Sequence, residues 1–101
     1  MIVRTWRGRA SKDRPEDYTK HFNTAALPEL QVLRGFLGAM LLRRETAEGF
    51  EFFVITRWES LDAIKGFAGE TYERAVVEPG AMAALESFEK TVAHYEVLTS
   101  T

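Results

Sequence analysis

The chain contains no cysteine. That absence excludes disulfides, thiolate metal ligands and cysteine nucleophiles, and it fits a reducing cytoplasm. Histidine is nearly absent as well, with only His21 and His94. A site built from two histidines and one carboxylate would have to use both, so no metal is expected. An excess of one charge is also missing: thirteen basic side chains face fifteen acidic ones, and the longest basic run is Arg43-Arg44. A nucleic-acid partner is therefore not expected. No apolar run approaches the roughly 20 residues of a membrane span. The N-terminal segment carries Arg4, Arg7 and Arg9 where a signal peptide would need its apolar stretch. A cytoplasmic protein without a membrane partner is the expectation. Glycine-rich phosphate loops, dinucleotide fingerprints and serine-hydrolase elbows are missing too, so no nucleotide cofactor is expected.

What remains is a chain rich enough in apolar and aromatic side chains for one modest core, read as a single domain over 1–101, with disorder confined to the tail after Leu98. Residues 2–9 read as a strand through Val3, Thr5 and Trp6. A helix follows from Asp13 or Arg14, with Pro15 in its first turn and a buried stripe of Tyr18, Phe22, Ala25 and Ala26; Pro28 ends or offsets it. Residues 36–45 and 50–58 read as strands joined by the turn Thr46-Ala47-Glu48-Gly49. Ser60 caps a second helix with Leu61, Ile64 and Phe67 or Ala68 inward, and Gly69 stops it. Residues 70–79 resist assignment beyond a helical turn ended by Pro79. A short helix over 81–89 aligns Met82, Leu85 and Phe88 before a last strand, 91–98. Strand, helix, strand, strand, helix, strand is the order of an α+β ferredoxin-like domain: a four-stranded antiparallel sheet in spatial order 4-1-3-2 with helices on one face.

Helices on one face leave the other bare, yet the middle strands are apolar on both sides. The second strand places Phe36, Met40 and Leu42 on one side and Leu37, Ala39 and Leu41 on the other. The third sets Phe53 and Ile55 against Phe50, Phe52 and Val54. A half-solvated antiparallel sheet alternates apolar with polar. An exposed patch of several hundred Å² exceeds what a monomer usually tolerates. A homodimer packed through the bare sheet face is the expected resolution.

The segment "TRWESLDAIKGFAG", in which a strand ends at Trp58-Glu59-Ser60 and runs straight into a helix, resembles the antibiotic biosynthesis monooxygenase family of dimeric α/β barrels. "IVRTWRG", "GFLGAMLLRR" and "AHYEVL" resemble strand segments of that family, so the likeness extends over most of the chain. It implies the dimeric barrel and a hydrophobic or aromatic small-molecule ligand. It also implies either cofactor-independent oxygenation or, in another branch, haem degradation. The quinone-forming members pair the tryptophan with an asparagine four residues earlier and a tyrosine six later; here those positions are Val54 and Ile64, so only Trp58 carries over. The haem-degrading branch needs a first-strand asparagine, which is missing, and has a tryptophan and a histidine near the places of Phe67 and Val76. The resemblance thus implies oxygenation without a cofactor rather than haem degradation.

His94, Trp58 and Tyr72 are the catalytic candidates, and Arg4, Trp6 and Phe22 the substrate-binding ones. An imidazole at His94 can remove a phenolic or enolic proton; it can equally be a satisfied side chain paired with Glu96 or Arg4. The indole of Trp58 can wall an aromatic pocket or simply fill the core. Arg4 and Trp6 share a face of the first strand, where a guanidinium can hold an enolate oxygen or bridge to Glu96 or Glu59. Tyr72 can orient a substrate from a flap or be an ordinary loop residue. Phe22 belongs to the buried stripe beside the expected pocket. His21 follows Asp17 by four residues, and that helical pairing accounts for it. Three functions stay open: a cofactor-independent monooxygenase acting on a phenolic or polycyclic molecule, a non-catalytic binding module of the same fold, and a non-oxidative isomerisation or cyclisation that would use the same base and pocket. A cavity of a few hundred Å³ lined by Trp58 and His94 would favour the enzyme.

Overall fold

A computed structural model describes residues 1–101. β1 (Ile2–Ser11), β2 (Phe36–Glu45) and β3 (Gly49–Trp58) are ten-residue antiparallel strands, with β3 between the other two. Their alternation sorts side chains onto two faces. Pairing of Arg4 with Thr56, Trp6 with Val54 and Gly8 with Phe52 puts these residues on the helix-covered face. Thr5, Arg7, Phe53 and Ile55 fall on the other. The domain is α+β, with an antiparallel sheet and helices on one side, as its pattern predicts.

The β2–β3 turn falls where expected, closed by Thr46 and Gly49, whose backbone groups bond to each other. In β2 a register shift between Phe36 and Gly38 places Phe36 opposite Trp58, while Ala39 faces Thr56 and Met40 faces Ile55. Phe36 therefore shares the helix side with Ala39 and Leu41, not the side of Met40 and Leu42 that strict alternation gives it. The guanidinium of Arg57 lies where a side chain on Gly38 would go and would have to swing aside for one.

The first helix departs from expectation at both ends. It begins at Asp17 and runs through α1 (Asp17–His21), a π-helical turn (Phe22–Ala26) and α2 (Leu27–Gln31). Pro28 does not end it. Proline lacks the amide that an interior turn would use, and here it sits in the first turn of α2, just after a π-turn has changed the bonding. α3 (Leu61–Ala68) is capped by the Ser60 hydroxyl, which accepts from the Ala63 amide at 3.2 Å, and stops at Gly69 with φ 82°. Pro79 opens a helix, α4 (Pro79–Ala84), instead of ending one. The helix expected over 81–89 is cut short because Leu85 turns extended, packs in the core, and leads into β4 (Ser87–Phe88). The last strand shrinks to β5 (Ala93–Glu96). β4 and β5 both pair with β1, at its two ends, so two short strands occupy the edge assigned to one long strand.

Two clusters form the core. Phe52, Tyr18, Phe22 and Leu85 anchor the larger one, between sheet, α1 and α4; Trp58, Ile64 and Leu30 anchor the smaller, beneath α3. The opposite sheet face has no helix over it, and Met40, Leu42 and Tyr95 there are about half exposed. No helix is long and apolar enough to cross a membrane.

Candidate active site

Between the sheet and the first helix lies a cavity of about 150 Å³. β1 contributes Arg4 and Trp6 to it, β3 contributes Val54 and Thr56, and the π-turn contributes Phe22 and Ala26; residues 75–78 close the remaining side. A π-turn widens a helix and swings its side chains away from α-helical positions, and such turns recur at functional sites. The walls are mainly apolar. The polar lining groups are Arg4 and Thr56 from the sheet and Tyr18, His21, Glu29 and Glu78 from the helix and the closing segment.

Arg4 is only 6% exposed. Its Nη1 donates to the Tyr72 carbonyl at 2.6 Å and lies 3.0 Å from His94 Nε2, and its Nη2 donates to the Arg74 carbonyl at 3.1 Å. The segment carrying those carbonyls is tied down by bonds from Ala75 N to Lys90 O and from Val92 N to Glu73 O. None of the chain's ion pairs includes Arg4, so the bridges to Glu96 or Glu59 weighed from sequence do not form. Burial without a counter-charge lowers its pKa to about 10.

His94 stands behind Arg4. A guanidinium can only donate, so Nε2 accepts and the neutral ring carries its proton on Nδ1. Burial, and after it the Arg4 charge, hold the imidazole below its ordinary pKa, with Glu73 opposing them. Tyr72 packs edge-on against the His94 ring, centroids 5.5 Å apart. Neither residue lines the cavity, and neither does Trp58. Trp58 is fully buried, stacked on Phe67 and edge-on to Phe36, with its Nε1 donating to Thr56 Oγ1 at 2.8 Å. The cavity is thus smaller than the few hundred Å³ sought, and its lining differs from the one expected.

Of the six site residues named from sequence, the structure gathers Arg4, Trp6 and Phe22 on the cavity, sets His94 and Tyr72 against Arg4, and leaves Trp58 in the second cluster. Sequence reasoning missed Tyr18, Thr56, Glu78 and His21. Tyr18 was visible only as part of a buried stripe. Its hydroxyl makes no bond within the chain, and burial followed by the charge of Glu78 pushes its pKa up. Thr56 needed the β1–β3 register, which sets it opposite Arg4. The pairing of His21 with Asp17 is not formed: Asp17 lies 3.8 Å from Arg14 instead.

The sequence pattern described as antibiotic biosynthesis monooxygenase matches residues 1–79. The chain belongs to this family. No curated protein matches it by sequence. Among solved structures, the haem degrader MhuD from Mycobacterium tuberculosis, with two haems in its active site, superposes with a TM-score of 0.71 at 22% identity, covering 100% of this chain and 99% of that one. SnoaB, a cofactor-independent oxygenase from Streptomyces nogalater, gives 0.67 at 19% identity over 98% and 94%. The ActVA-Orf6 monooxygenase of Streptomyces coelicolor, in complex with nanaomycin D, gives 0.58 at 14% over 98% and 92%. At these identities the likeness establishes the fold. Within the family frame, Val54 lines the cavity where the resemblance would set asparagine, and Ile64 is wholly buried where it would set tyrosine.

Proposed function

We propose that this protein is a cofactor-independent monooxygenase that oxidises a phenolic ring, working as a homodimer joined through the bare sheet face. One observation carries the reading: an apolar cavity with a buried guanidinium that has no acidic partner. Such a cation suits a ligand oxygen that is or becomes negative, and in a desolvated site its effect on an oxyanion is large. Membership in the monooxygenase family and the shared fold of SnoaB support it. Cavity size narrows the substrate. About 150 Å³ holds a molecule near the size of benzene, so one ring fits inside and any fused ring projects through the mouth.

In this scheme the ring lies among Trp6, Phe22 and Val54 with its oxygen toward Arg4. Loss of the hydroxyl proton leaves a phenolate, whose ring carbon donates electrons to dioxygen. One oxygen atom becomes a carbonyl on the ring, and the other leaves as water with the hydrogens from the hydroxyl and that carbon. The phenol is thereby oxidised to the quinone level and dioxygen is fully reduced, so no further reductant is needed. His94, its lone pair engaged by Arg4, positions the guanidinium in this reading, and Tyr72 buttresses His94.

The competing reading, a binding module, draws on the small cavity and on Val54 and Ile64. Oxygen consumption with a panel of electron-rich phenols and naphthols separates the two. Quinone formation that stops under nitrogen and weakens in Arg4→Met is expected. Tight binding with no oxygen uptake from any member would establish the module instead.

A further inference from the structure

His21 sits at the boundary of two spaces. It lines the internal cavity, and it also lines an open cleft on the outside, formed with Arg14, Asp17, Lys20 and Gly80. Its ring makes no hydrogen bond or ion pair within the chain, while no buried side-chain nitrogen or oxygen lacks a partner. Both statements hold together only if the ring nitrogens remain accessible. Gly80 leaves room for the ring, since a Cβ on that residue would come within 2.6 Å of Nδ1 and 2.8 Å of Cε1. The imidazole therefore packs against Gly80 of α4 with its nitrogens unpaired within the chain. In contrast, the lone pair of His94 is occupied by Arg4.

We propose that His21 is the proton acceptor for the ligand in the cavity, taking the hydroxyl proton and passing it to solvent through the outer cleft. Histidine is the residue type suited to accept and release a proton near neutral pH. The phenol O–H bond breaks, its proton goes to an imidazole nitrogen, and the electron pair stays on the oxygen that faces Arg4. The charged groups around His21 are Asp17 and Lys20 on its own helix, Arg14 before it, Glu29 from α2 and Glu78 from the closing segment, together with the Tyr18 hydroxyl.

This rests on the phenolic reading of the cavity, and its test does not need oxygen. The probe is 4-nitrophenol, whose ionised form absorbs visible light. It is bound anaerobically below its solution pKa, with heats measured in two buffers of different ionisation enthalpy. Wild-type protein is expected to hold the probe as phenolate and release almost no proton, because His21 keeps it. His21→Gln is expected to release close to one proton per phenolate bound, or to bind the neutral phenol. Gly80→Ala, which displaces the ring without removing it, should behave in the same direction. In turnover of an electron-rich naphthol, His21→Ala should lose about 10²-fold or more in kcat, with KM little changed and partial rescue by added imidazole. His21→Gln that holds the probe as phenolate and releases no more proton than the wild type, or a kcat loss that imidazole does not restore, would overturn the assignment, as would failure of the wild type to bind the probe. Proton retention without any oxygen uptake would instead sustain His21 and remove the oxygenase.

Discussion

Replacing Arg4 by methionine puts a stability effect and a binding effect in opposition. The side chain is almost fully buried, and its pKa is lowered from the ordinary guanidinium value to about 10. At 1.36 kcal/mol per pKa unit, burying that charge costs the fold on the order of 3 kcal/mol, which the variant recovers. Against this, the carbonyls of Tyr72 and Arg74 lose their donor. A buried carbonyl left unmade costs about 1–3 kcal/mol, so the pair together cost about 2–6 kcal/mol. Methionine nearly fills the volume and adds no cavity of consequence. The balance falls between about 1 kcal/mol of stabilisation and about 3 kcal/mol of destabilisation.

Urea unfolding at neutral pH, followed by tryptophan fluorescence, measures that balance. Affinity for 4-nitrophenolate, measured alongside, should fall at least tenfold. The same pKa shift sets an alkaline signature. From about pH 10 up to the ordinary guanidinium pKa the unfolded chain binds more protons at this position than the folded one, so this contribution makes stability rise with pH in that window, and Arg4→Met removes the rise. A loss well above 4 kcal/mol would mean that the guanidinium is a structural keystone whose bonds outweigh its desolvation. Unchanged affinity for the anion would mean that the charge is not directed at a ligand. Either result would refute the reasoning behind the site.

His94 gives a second pH effect of the same sign. Its folded pKa lies below the unfolded 6.5, so stability is fully present above that value and declines as pH falls from 6.5 toward the lowered pKa; His94→Gln should flatten the melting temperature between pH 5 and 7. The bare sheet face should be the contact between copies: Ile55→Lys, whose residue lies opposite Met40 on β2 and Thr5 on β1, should convert a dimer to a monomer by light scattering. A wild type already monomeric at high concentration would remove the contact. Trp58→Phe keeps an aromatic ring between Phe36 and Phe67 but loses the bond to the Thr56 hydroxyl, and should cost about 1 kcal/mol in urea unfolding.

Periodicity sufficed wherever one local rule governed. The inward stripe of Tyr18 and Phe22, the Ser60 cap, the Gly69 stop and the turn at Thr46–Gly49 are each set by residues within a few positions of one another, and each forms as read. It failed where a distant partner decides. Phe36 changes side because a register shift against β3 inserts one residue, which alternation along β2 alone does not reveal. Leu85 leaves the helix because β1 needs a strand beside it at Gly8, and Pro28 stays within a helix because the π-turn accommodates it. The site divides in the same way. Arg4 and Trp6 were legible from alternation on one strand, while Thr56 depended on register. The expected pairing of His21 with Asp17 fails because a four-residue spacing is only an opportunity, and Arg14 takes it.

Alternation along β1 and β3 also ties the site to the bare face. Arg4, Trp6, Val54 and Thr56 point toward the helices from the same two strands that send Thr5, Arg7, Phe53 and Ile55 outward. The outer face is not uniformly apolar. At its far end Glu51 lies nearly buried among Arg44 at 2.9 Å, Arg7 at 3.9 Å and Arg9 at 4.0 Å, while Arg7 also covers the Phe53 ring. The apolar portion is therefore the half around Thr5, Met40 and Ile55, directly beneath Arg4 and Thr56. A second sheet pressed there excludes water from the underside of the strand that carries the guanidinium, and the field of a charge strengthens as water is removed. In the proposed dimer the copy that hides Ile55 thus also strengthens the hold of Arg4 on an anion, without contributing an atom to the cavity.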